Sequence, residues 1–129
     1  VLGSIHYCLG LIYADTNEFQ LARKHKEAHL AMQKSVCESV GPDYVDVRLG
    51  NAYTEMGIAL VQDGQLDEAI EFFRREMEIR KKVGITHLQS RDANYAMALM
   101  LRGELEVAEK VLLDCVKLWE STGSVVTLR

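Results

Sequence analysis

A chain of 129 residues, 48% of them hydrophobic, is long enough to enclose one hydrophobic core. Its formal net charge of −4 is spread along the chain, so no stretch supplies the phosphate neutralisation that nucleic-acid binding needs, and anionic membranes are equally poor partners. No apolar run approaches the roughly 18 residues of a membrane span. The widely spaced Cys8, Cys37 and Cys115 argue for small core residues in a reducing, cytoplasmic setting rather than a disulfide framework.

Leu2, Ile5, Leu9, Ile12 and Tyr13 recur at helical spacing. The pattern is already running at Val1 without a cap, which predicts a piece of a longer array. Asp15-Thr16-Asn17 reads as a turn. A second helix is predicted from about Glu18 to Ser39, with Phe19, Ala22, Ala28, Met32 and Val36 as its narrow apolar stripe. Within it His25 and His29 stand four apart. The zinc-protease pattern H-E-x-x-H needs glutamate directly after the first histidine, but Lys26 holds that place and Glu27 points about 100° further round. No third ligand is evident, so no metal site is expected.

Gly41-Pro42 ends that helix, and Asp43 is the expected cap of the next, from Tyr44 to about Gln62. Asp63-Gly64 makes a turn. The helix from Leu66 to Val83 carries Ala69, Phe72, Phe73, Met77 and Ile79. Arg80, Lys81 and Lys82 in its last turn read as cations that offset the helix dipole, with a basic docking patch as the alternative. Gly84 stops it. Thr86 and Gln89 form the expected capping box of a helix that is apolar almost all round as far as Leu101. Gly103 turns the chain into a last helix, Leu105 to about Glu120, where Trp119 is expected to pack on the end of the stack. Residues 122–129 are a tail.

One spacing occurs three times. Leu9-Gly10-Tyr13 is repeated by Met56-Gly57-Leu60 and by Tyr95-Ala96-Leu99. The small residues Ala22, Ala69 and Ala108 follow, 47 and 39 residues apart (69 − 22 and 108 − 69). Recurring helical hairpins of this period point to a stacked all-α repeat of about three units, over residues 1–40, 44–84 and 86–121.

These residues resemble the tetratricopeptide repeat, whose outline is W-x2-L-G-x2-Y, then A-x3-F, then P. Tyr53 stands at the tryptophan position, Met56-Gly57 at Leu-Gly, Leu60 at tyrosine, and Ala69 and Phe73 at A-x3-F. Lys81 replaces the closing proline. The longer period is similar to the kinesin-light-chain variety. The resemblance implies a right-handed solenoid of antiparallel hairpins packed through Gly10, Ala22, Gly57, Ala69, Phe73, Ala96 and Ala108.

It also implies a concave groove lined by the first helix of each hairpin. By register that groove holds Tyr7, Leu11 and Asp15, then Asn51, Thr54, Glu55, Ile58 and Val61, then Ser90, Ala93, Asn94, Met97 and Met100. Chaperone-binding members of the family grip a terminal carboxylate with lysine, arginine and asparagine. Tyr7, Leu11, Glu55, Ala93 and Met97 occupy the matching places, so no such clamp is expected. The groove suits an apolar or amphipathic segment of a protein partner.

No phosphate loop, nucleophile elbow or ligand cluster is present, so a non-enzymatic scaffold without a cofactor is expected. Two alternatives stand beside it. One is a section of the regulatory arm of a larger signalling ATPase or transcription regulator. The other is a self-association module acting through its uncapped ends.

Overall fold

The computed structural model describes residues 5, 6, 8, 9, 12, 18–85 and 89–121. They hold five helices and no strand: α1 (Phe19–Val40), α2 (Val47–Gln62), α3 (Leu66–Val83), α4 (Gln89–Leu101) and α5 (Leu105–Ser121). Ile5, His6, Cys8, Leu9 and Ile12 also have helical backbone. Each helix packs on the next in sequence, and α2 also reaches α4. This is the hairpin-on-hairpin stacking of a helical solenoid.

The hairpin α2–α3 shows why the spacing in the sequence matters. Leu60, Ile70 and Leu99 are the largest fully buried side chains, and Ala69 and Phe73 are buried with them. A Cβ on Gly57 would lie 2.5 Å from Cε1 of Phe73. Only a bare Cα lets the phenyl ring come this close to α2. Tyr53, one turn earlier, joins three helices: its ring lies 5.9 Å from that of Phe72 in α3, and Lys34 of α1 places its ammonium 5.6 Å from the ring centre. Ala96 and Ala108 are buried in the third unit as Gly57 and Ala69 are in the second.

The helix ends follow local chemistry, with one correction. Asp46, not Asp43, caps α2: its Oδ1 accepts from the Leu49 N–H at 3.1 Å. The Tyr44 N–H bonds back to Gly41 O, which closes a turn and delays the helix until Val47. Asp43 instead offers its carbonyl oxygen to Lys82 Nζ at 2.9 Å. Gly84 ends α3 in the left-handed conformation (φ +80°), which glycine adopts without Cβ strain. The expected Thr86 cap lies outside the described residues, as does the 122–129 tail, and nothing is described of the Trp119 side chain.

Two further expectations change. Cys37 is a buried core residue, whereas Cys8 is exposed and Cys115 half-buried. The second half of α4, residues 95–101, is wholly apolar but buried on one side only. Ala96, Ala98 and Leu99 face the core, while Met97, Met100 and Leu101 face outward.

Candidate interaction surface

Of the residues placed in a groove by register, Tyr7, Leu11 and Asp15 lie outside the described residues, as does Gly10 of the packing set. Ser90 lies on α4 with its side chain undescribed. The others divide by helix.

On α2, Asn51, Thr54, Glu55, Ile58 and Val61 share one face, as their three- and four-residue spacing requires. That face is mostly closed. Thr54 is only 4% exposed, which removes it from any surface a partner could touch as the chain is folded. Glu55 is drawn against α1, where Oε2 lies 3.3 Å from Nζ of Lys26. Lys26 is itself only 3% exposed. An ammonium buried to that degree needs its partner, because an unpaired charge there costs several kcal/mol. Ile58 and Val61 are half-buried and pack on the core.

On α4 the surface is open. Ala93 is exposed and Asn94 half-buried. Met97 and Met100 are 41% and 49% exposed, one turn apart. Leu101 beside them is exposed too. Apolar exposure continues onto α5 through Leu105, Val107, Leu112, Leu113 and Val116.

The junction between the second and third hairpins holds a cluster that sequence reading missed. Arg80 lies in the last turn of α3 but is buried, with Nε 2.9 Å from Glu76 Oε2 and Nη2 bonded to Asp92 Oδ1. Cys115 Sγ lies 3.8 Å from Asp92 Oδ2. Burial alone would favour the neutral guanidine, but Asp92 and Glu76 outweigh it and hold Arg80 above its ordinary value. Burial first, then Asp92, raises the Cys115 thiol, which keeps it protonated and poorly nucleophilic. Buried to this degree, Arg80 takes no part in a basic docking patch. Lys81 and Lys82 are exposed, and Lys82 donates to the Asp43 carbonyl.

Two arginines tie successive hairpins at the turn end. Arg23 of α1 reaches Asp63 in the α2–α3 turn at 3.2 Å, and Arg102 in the α4–α5 turn reaches Asp67 of α3 at 2.7 Å. Among the described residues, no three histidine, cysteine or carboxylate side chains are grouped to hold a metal ion. No described helix is long and apolar enough to cross a membrane.

The tetratricopeptide repeat family model matches residues 49–83. This chain carries a tetratricopeptide repeat. The matched segment is the α2–α3 hairpin, with Gly57 against Phe73 at its centre. Tetratricopeptide repeats serve in general as protein-interaction scaffolds and bind protein partners. No curated protein matches the chain.

Proposed function

We propose that this chain is a non-enzymatic, cytoplasmic scaffold that binds an apolar or amphipathic segment of a protein partner along its concave face. The observation that carries this reading is the outward pair Met97 and Met100, on a helix whose other side is fixed in the core. Two unbranched, polarizable side chains on a rigid base can fit partners of different shape. Ala93 and Asn94 extend the same surface, and Asn51, Ile58 and Val61 border it from α2. By register Tyr7, Leu11, Asp15 and Ser90 complete it. Because Glu55 is already paired with Lys26, recognition rests on apolar contact and depends little on salt.

The test is capture of a partner by the native protein and by Met97→Glu/Met100→Glu with unchanged helicity. A partner held by the first and lost by the second supports the reading. Equal capture by both overturns it.

The exposed α5 face favours a second reading. Leu105, at 62% exposed, with Leu113 and Val116, would be covered if the chain were one section of a longer regulatory arm in a signalling ATPase or transcription regulator. Self-association would cover the same face, and molar mass rising with concentration separates that case from the others.

A further inference from the structure

Two histidines from two parts of the chain meet beside α1, and a third stands one turn along that helix. His25 and His29 are one turn apart on that helix. His6 stands opposite, with its Nδ1 2.7 Å from Nδ1 of His25. The ring centroids are 4.9 Å apart and the planes differ by 30°. That centroid separation is close to the largest a 2.7 Å nitrogen–nitrogen approach allows. The rings therefore meet head to head, with each Nδ1 near the line between the two centres. A bound zinc ion would sit about 2.0–2.1 Å from each nitrogen, with both lone pairs converging on it. A straight 2.7 Å gap holds a proton and excludes a metal ion.

We propose that His6 and His25 share a proton through their Nδ1 atoms and so form an acid-sensitive latch that ties His6 and its described helical neighbours Ile5, Cys8, Leu9 and Ile12 to α1.

A neutral imidazole has one N–H and one bare nitrogen. The contact is a hydrogen bond when one ring presents Nδ1–H and the other a bare Nδ1. A first added proton can settle on the outer Nε2 of the donor ring, which keeps the bond and makes it charge-assisted. A second must occupy the accepting Nδ1. Two N–H groups then face each other across the gap with no acceptor between two like charges.

His29 adds to the effect. Burial pushes its imidazole below the ordinary value, Glu55 raises it and His6 lowers it further. The other charges here are Lys26 of α1 and Glu55 of α2, which pair with each other at 3.3 Å. Among those neighbours of His6 the titratable group is Cys8, which is exposed. Ile5 and Ile12 are each about half exposed.

The experiment has two parts on the native protein. Ring nitrogen-15 spectra at pH 7.5 should show, for His6 and His25, one protonated and one bare Nδ1. Two bare Nδ1 atoms would overturn the proposal. Amide exchange, corrected for intrinsic rate, should then lose about three- to tenfold protection at His6, Cys8, Leu9 and Ile12 between pH 7.5 and 5, the worth of one hydrogen bond. Protection that stays constant would overturn it. In His25→Ala the protection should already be low at pH 7.5. A pH step as large as the native one in that variant would also overturn the latch. If that variant does not fold, the native spectra and exchange decide alone.

Discussion

Replacing Gly57 by alanine isolates the contact around which the α2–α3 hairpin is built. In an open helix the change would stabilise by about 1 kcal/mol, the propensity difference between the two residues. Here the new Cβ meets Cε1 of Phe73 at 2.5 Å, and Cδ1 and Cζ at 2.8 Å. Phe73 is almost wholly buried and packed among Leu60, Ile70 and Ala69, so its ring has little room to retreat. Overpacking of this kind costs about 1–3 kcal/mol. The net expectation is a loss of up to about 2 kcal/mol, and a larger one for Gly57→Leu.

Gly50 on the same helix supplies the control. A Cβ there would meet Glu76 and Ile79 at 3.7 Å, which is ordinary contact, so Gly50→Ala should gain up to about 1 kcal/mol. Phe73→Leu should relieve part of the Gly57→Ala penalty when the two are combined. Urea denaturation followed by far-ultraviolet circular dichroism measures the native protein and each of these variants. A Gly57→Ala protein as stable as Gly50→Ala would refute the reasoning.

Three other perturbations test separate parts of the structure. Arg80→Gln leaves Glu76 and Asp92 without their shared cation in a buried site and should cost about 3–5 kcal/mol in the same denaturation assay. Asp46→Ala removes the α2 cap and should cost about 0.5–2 kcal/mol. Burial pushes the Asp46 carboxyl up, but its bonds from Leu49, Arg48 and Tyr44 together hold it below 3.8. Its contribution is therefore present above the ordinary carboxylate range and lost as pH falls through the depressed value. His29 follows the same sign for a base: its folded-state value is lowered, so the unfolded chain takes up the proton first. Stability should be full above about pH 6.5 and fall below it, by less in His29→Gln, as read from urea midpoints at pH 7.5 and 5.5.

The hairpin was legible in the sequence because its contacts are made between residues close along the chain. Met56-Gly57-Leu60 and Ala69-x3-Phe73 encode a small residue opposite a large one, and helical periodicity alone puts them on facing sides. The junction was not legible. Arg80 draws Glu76 from its own helix and Asp92 from the next, while Cys115 comes from a third, and no short spacing marks such a set. At the last turn of α3 the run Arg80-Lys81-Lys82 reads as dipole compensation, which hides that its first member is buried. Lys26 likewise sits in a polar stretch of α1, and only the approach of Glu55 shows why it points inward. The α2 cap was misplaced by three residues because Asp43 and Asp46 have the same chemistry. The choice between them is made by the turn from Gly41 to Tyr44.

Of the groove residues read by register, α4 holds the open ones and α2 the enclosed ones. Register assigns a face to a helix, but the side chains of the preceding helix decide how much of that face is covered. Thr54 is buried, whereas Met97 and Met100 are exposed.

The central claim is that a partner rests on the Met97 and Met100 face. The most direct test is the Kd of a captured partner for the native protein and for the folded Met97→Glu/Met100→Glu variant. The account predicts weakening by at least about tenfold, as for anchors at the centre of an interface. An unchanged Kd would contradict it.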